Sequence, residues 1–270
     1  MTPGRRLFPI TVIATYLLFL LGIYTAAIGA GLTCGARWPL CDGAVFGLFP
    51  ANWTSFVEWF HRLVALVTGF LILGSWIVAW RSRVTRRAIF AFSVAVILLP
   101  PQVWLGAQTV LQYDILSLTA HFLTPLLIFA GVLIGTAIVF DWGSLIRAYR
   151  PQLLASSTLL FLPFVLLTPQ FLFVHTGNVQ VLYYGIGLAL FAILVLITFA
   201  TATGTGTYLR VLGAAAIGLL VVQLLAGRLL RSPTVHSADW LAAFLLLPLL
   251  CVATWLAYRI ESTRAPFAGY

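Results

Sequence analysis

From Leu63 to Trp80 the chain carries no charged residue. At ~1.5 Å per residue such a run makes about 27 Å of helix, close to the ~30 Å hydrocarbon core of a bilayer. Eight apolar runs of comparable length follow one another, at residues 7–30, 56–80, 88–111, 115–140, 152–174, 178–201, 208–230 and 235–258. Across the whole chain 62% of residues are hydrophobic and 8% are charged, with a mean hydropathy of +1.07. The expectation is an all-α integral membrane protein with eight transmembrane helices.

All 15 basic residues are arginine, and the formal net charge is +9. Their positions argue against a nucleic-acid surface. Arg5, Arg6, Arg81, Arg83, Arg86, Arg87, Arg147, Arg150, Arg210, Arg259 and Arg264 all fall at segment ends on one side, against only Asp141 and Glu261. That asymmetry marks the cytoplasmic side, where an even number of spans places both termini. The other side holds Arg37, Arg62, Arg228 and Arg231, balanced by Asp42, Glu58, Asp114 and Asp239. The first apolar run is long and has no clear cleavage site, so it is read as a spanning helix rather than a signal peptide.

The first four segments and the last four look like two copies of one unit. Gln102-Val103-Trp104-Leu105-Gly106 aligns with Gln223-Leu224-Leu225-Ala226-Gly227, and Leu118-Thr119-Ala120-His121 with Pro233-Thr234-Val235-His236. Nearly the same offset sets Glu58 against Gln180 and His61 against Tyr183. Two pseudo-symmetric four-helix bundles are expected, over residues 1–144 and 145–270, related by an axis along the membrane normal. Pro100 and Pro101, in mid-segment, predict a kink.

Within Glu58-Trp59-Phe60-His61-Arg62 a carboxylate, an imidazole and a guanidinium sit just inside an apolar helix. Ionisable groups at such depth are rare and by default mark a function. Glu58 and His61 share a helix face. Glu58 has three readings: it pairs with Arg62, it is neutral through desolvation, or it acts on a substrate. His61 and His121 fall at similar depths in the second and fourth segments. Such a pair either hydrogen-bonds across helices or ligates a metal or haem iron. Zinc suits it less, because three or four ligands are wanted and only Glu58 is near. His236 heads the last segment, with Tyr183 or Tyr184 where a partner would stand. His175 reads as a loop histidine. Arg228 and Arg231 have two readings, partners of haem propionates or residues snorkelling to the interface.

Cys34 and Cys41 lie in an external C-x6-C loop, where a disulfide is expected; two free thiols are the other reading. Cys251, within the last segment, is expected to be a small buried hydrophobe.

Taken together, Gly29-Ala30-Gly31-Leu32-Thr33-Cys34, Trp38-Pro39-Leu40-Cys41-Asp42-Gly43, Glu58-Trp59-Phe60-His61-Arg62, Gln102-Val103-Trp104-Leu105-Gly106-Ala107-Gln108-Thr109 and His121 resemble, in this order, the haem A synthases. The resemblance covers residues 1–140 well and residues 151–258 only as a degenerate repeat. It implies an eight-helix enzyme of two four-helix halves that oxidises the C8 methyl of haem O to a formyl group. Glu58, His61 and His121 match that family's functional residues in the first half, and Cys34 and Cys41 its external disulfide. The second half of the family normally binds a haem b cofactor through two histidines. Here only His236 remains, and Ala26 replaces an arginine often found near the end of the first helix. The implied partners are a haem O synthase, an electron donor and oxygen or water, with the lipid bilayer around them. A membrane b-type cytochrome and a haem-binding oxidase assembly factor are the other readings. A small-molecule transporter is disfavoured, since no charged residue lies near mid-bilayer.

Overall fold

The computed structural model describes residues 3–35, 37, 41, 52–111, 114–168, 176–200, 206–229 and 233–262. Among them the chain is helical almost throughout: α1 (Pro3–Ala27), α2 (Trp53–Arg81), α3 (Arg86–Leu111), α4 (Ile115–Val139), α5 (Trp142–Ala148), α6 (Arg150–Leu166), α7 (Gly177–Ala200), α8 (Gly206–Leu229) and α9 (Pro233–Ser262). Seven of these, all but α5 and α6, are long and apolar enough to cross a membrane. The chain is an all-α, multi-pass membrane protein.

Several expected boundaries move. The first run is helical only to Ala27 and is followed by a single 3-10 turn at Ala30–Leu32. Short helix α5 was not expected, because its seven residues are too few to stand out as an apolar run. The fifth run gives the 17-residue α6, and residues 169–174 lie outside those described. Helix α3 continues across Pro100 and Pro101. Cys251 is exposed rather than buried, on a face where lipid would lie. In a membrane an apolar residue gains nothing by turning inward, which is why hydropathy misplaced it.

The described chain forms two compact units. The first takes in residues up to Phe140 and the opening turn of α7, and the second the remainder. In the first, α1 packs on α2, α2 on α3, α3 on α4 and α4 on α1, a ring of four helices in chain order. Phe8, Ile72, Phe92, Ile128 and Val132 form its apolar centre. Helices α3 and α4 meet closely. A Cβ on Gly131 would lie 2.7 Å from the Ala91 carbonyl, and one on Gly135 2.7 Å from the Phe92 ring. Small residues at such a seam let backbones approach where lipid supplies no hydrophobic drive. Polar side chains add specific links: Thr11 and Ser75 hydroxyls lie 2.8 Å apart between α1 and α2, and the Trp76 indole donates to the Ser93 hydroxyl at 2.9 Å between α2 and α3. Each is worth about 0.6 kcal/mol in this setting.

The second unit has the same cyclic order. Phe164 of α6 stacks on Tyr183 of α7, Tyr183 and Tyr184 bond to α8, α8 packs on α9, and α9 packs on α6. Its apolar cluster includes Ile146, Leu154, Ile197, Leu209, Ala253 and Ala257.

Candidate functional site

Two polar residues set where the site-bearing helices start. The Asn52 side chain accepts from the Ser55 amide at 2.8 Å and caps α2. Asp114 accepts from the Ser117 amide at 2.9 Å and hydroxyl at 2.6 Å and caps α4. Both are N-caps of the usual kind, satisfying donors that the first turn leaves free. The Ser117 hydroxyl and amide hold the Asp114 carboxyl below its ordinary pKa. The Asn52 cap starts α2 three residues before the expected residue 56, so His61 stands nine residues along it. His121 stands seven along α4. An exposed aromatic cluster surrounds the start of α2: Phe56 stacks on Phe60 at 5.7 Å and on Trp53 at 5.7 Å. Aromatic side chains of this kind gather at membrane–water interfaces.

Below this rim Glu58 is buried, at 5% exposure, and paired with Arg62 through Arg62 Nε and Glu58 Oε1 at 2.7 Å. The pairing reading is the one seen. Arg62 does more than pair. Its Nη1 donates to the Arg37 carbonyl at 3.0 Å and its Nη2 to the Gly35 carbonyl at 2.7 Å. Hydrogen bonds of this charged kind are each worth roughly 1.5–3 kcal/mol. Cys34 and Cys41 form a disulfide, with Cα atoms 4.7 Å apart, so both carbonyls belong to a covalently closed loop.

His61 of α2 and His121 of α4 are both half-buried in the first unit. His61 Nδ1 is buried and has no hydrogen-bond partner among the described residues. The Gln102 amide donates to the His121 backbone carbonyl at 3.2 Å. Each imidazole rests against a glycine of a neighbouring helix. A Cβ on Gly22 of α1 would lie 3.1 Å from His61 Cε1, and one on Gly106 of α3 would lie 3.0 Å from His121 Cε1. Phe19 of α1 and Phe122 of α4 meet edge to face at 5.3 Å. Two imidazoles in one four-helix unit, each against a glycine, are residues that would hold the iron of a flat apolar macrocycle. No cluster of three or more metal-ligating residues occurs among the described residues.

The second unit is built differently. Tyr183, 2% exposed, lies 4.5 Å from Phe164 in a near-parallel stack. Its hydroxyl donates to the Gln223 carbonyl at 3.1 Å, and the Tyr184 hydroxyl donates to the Leu224 carbonyl at 3.1 Å. A Cβ on Gly227, which the expected repeat sets against Gly106, would lie 3.0 Å from Tyr183 Cε1 and 3.2 Å from the Tyr184 hydroxyl. The rings fill the space beside Gly227, and both phenols are spent on backbone carbonyls. These residues do not fit a haem b on that side. His236 lies in the first turn of α9, its side chain outside the described residues, as is that of Arg228. His175 and Arg231 also lie outside them.

Sequence reasoning missed Arg62 as a clamp on the cysteine loop, and no signal in the sequence shows where backbone carbonyls point. It missed Gly22 for want of any motif. Asn52-x-x-Ser55 and Asp114-x-x-Ser117 were legible as caps and would have set both helix starts.

Fold and site define a multi-pass helical membrane protein with a buried carboxylate and a histidine pair in its first four-helix unit. No family model matches the chain. It is 34% identical over 137 residues to a haem A synthase of Bacillus licheniformis, covering 50% of this chain and 45% of that protein. It is 31% identical over 174 residues to a haem A synthase of Bacillus pumilus, covering 62% and 56%. A protein of Halobacterium salinarum named protoheme IX farnesyltransferase is 34% identical over 127 residues, covering 47% of this chain and 28% of that protein. The chain spans about half the length of the haem A synthases it matches. These relatives support its place in the haem A synthase family.

Proposed function

We propose that the protein works in haem A biosynthesis, as an oxidoreductase that converts the C8 methyl group of haem O to a formyl group. The observation that carries this is the buried Glu58, held by Arg62 one helical turn from His61, in the four-helix unit that also contains His121. Haem O is the substrate, held between His61 and His121 in the first unit, and its iron supplies the oxidising chemistry when bound. Two successive hydroxylations replace two methyl C–H bonds by C–O bonds, and the resulting gem-diol loses water to leave the aldehyde. With dioxygen as the source, each hydroxylation inserts one oxygen atom and reduces the other to water with two protons and two electrons from a donor outside the chain. With water as the source, each step instead releases two electrons and two protons to an acceptor. Glu58 faces the carbon where positive character develops, or carries its proton. Arg62 keeps the carboxylate in one orientation.

Haem O is protohaem to which a farnesyl chain has been added, so a haem O synthase is the proposed supplier. The Halobacterium match supports that link, because a stretch similar to this chain occupies about a quarter of a protein named for haem farnesylation. The arginine distribution supports cytoplasmic termini, with the histidine pair and the disulfide toward the outer side of the cell membrane. His236 is left as a candidate ligand without a histidine partner.

Replacing Glu58 by Ala separates this reading from a b-type cytochrome or a haem-binding assembly factor. The protein should keep its haem spectrum and lose conversion of haem O. Full conversion by the variant would remove Glu58 from the chemistry.

A further inference from the structure

The cysteine loop, Arg62 and Glu58 form one chain of contacts. Cys34 and Cys41 are both buried, at 0% and 1% exposure, and their sulfurs lie 3.5 and 3.4 Å from the Ser55 carbonyl in the first turn of α2. The bridge therefore anchors the loop on the helix that carries Glu58 and His61. Gly35 takes a left-handed conformation with φ 58°, which a residue without Cβ adopts at little cost. Its carbonyl and that of Arg37 both accept from the Arg62 fork. The third used direction of that fork goes to Glu58. A guanidinium is planar, so fixing two of its nitrogens fixes the third.

We propose that Arg62 is a positioning residue through which the Cys34–Cys41 bridge sets the orientation of Glu58. The bridge holds two carbonyls in register, the carbonyls hold the guanidinium, and the guanidinium holds the carboxylate. Opening the bridge lets the carbonyls drift, and Glu58 keeps its counter-charge but loses its fixed direction. The site is then sensitive to thiol redox state even though neither sulfur touches the substrate. A dithiol opens it with a balanced exchange: the reagent gives two electrons and two protons and becomes a disulfide, while Cys34 and Cys41 become thiols. This role rests on the proposed function of Glu58.

The test uses the full chain in membranes, co-expressed with a haem O synthase. It compares wild type, R62Q, R62K, C34S/C41S and R62Q combined with C34S/C41S. Haem occupancy should be equal in all five, because the histidines are untouched. Conversion should fall on the order of 100-fold in R62Q and in C34S/C41S, the scale of a misplaced catalytic group. The combined variant should be no worse than R62Q alone. R62K keeps a charge but lacks the fork, so it should resemble R62Q. Dithiothreitol applied to folded wild type should reproduce the C34S/C41S loss and leave R62Q unchanged, which covers the case where the serine variant fails to fold. Rescue by R62K, or losses that multiply in the combined variant, would overturn the relay. The infrared band of the Glu58 carboxyl, assigned by its disappearance in E58Q, gives a reading independent of turnover. R62Q and C34S/C41S should each shift it, R62Q by more because it also removes the counter-charge, and a band moved by R62Q but untouched by loss of the bridge overturns the proposal. If wild type converts no haem O, the functional reading fails while the infrared comparison still decides the relay.

Discussion

Glu58 is buried, paired and one turn from His61. Substituting Gln keeps its size and removes its charge, so E58Q should bind haem normally and lose at least 100-fold in conversion, read by chromatography of extracted haems; a group acting by general acid–base catalysis contributes on that scale, about 10²–10⁴-fold. His61→Ala and His121→Ala should instead lose the haem itself, seen as a reduced absorption-to-protein ratio in the purified chain. Asp114 offers a pH test. Its folded-state pKa is depressed by Ser117, so its stabilisation of α4 is complete above the ordinary carboxylate value of about 3.9 and vanishes as pH falls through the lower folded value. D114N keeps an acceptor for Ser117 without a charge. Thermal unfolding in detergent should show a loss of stability across that acid window in wild type and a smaller one in D114N. At this scale the sequence was most legible for Glu58, His61, His121 and the two cysteines, because charge and imidazole are costly in apolar helices and stand out. Arg62 was legible only as a neighbour, since its fork binds backbone groups that no side-chain pattern reveals.

The helices themselves were readable from apolar length, but apolar length alone does not mark their ends. Runs of hydrophobic residues continue through a helix terminus into apolar turns, as at residues 28–32, while the caps at Asn52 and Asp114 are single polar residues. Helix-to-helix contact was also hidden, because lipid and protein interiors are equally apolar; Cys251 shows the consequence. Glycine carries more information here than hydropathy. Gly22 and Gly106 leave room beside the two imidazoles, so Gly22→Val or Gly106→Val should push each ring aside. Overpacking of this sort costs about 1–3 kcal/mol. The haem-to-protein ratio should fall in both variants, and an unchanged ratio would show that the rings do not need that space.

Across the molecule, two units share one cyclic order of four helices and differ in what fills their centres. The first keeps polar, titratable groups beside glycine; the second has closed the equivalent place with Phe164, Tyr183 and Tyr184. The expected repeat rests on Gln102–Gly106 and Gln223–Gly227, and it gives no sign of how the second centre is filled, since a tyrosine in sequence can ligate, hydrogen-bond or pack. A haem count on the purified chain should therefore give one per protein; a count of two, falling to one in His236→Ala, would place a second haem despite the tyrosines. The central claim is chemical conversion in the first unit. Expressing the chain with a haem O synthase in a host that makes no haem A, then weighing the extracted haem by mass spectrometry, tests it most directly. A product in which the methyl of haem O has become a formyl group is predicted; haem O alone, with the protein stably inserted and haem-loaded, would contradict it.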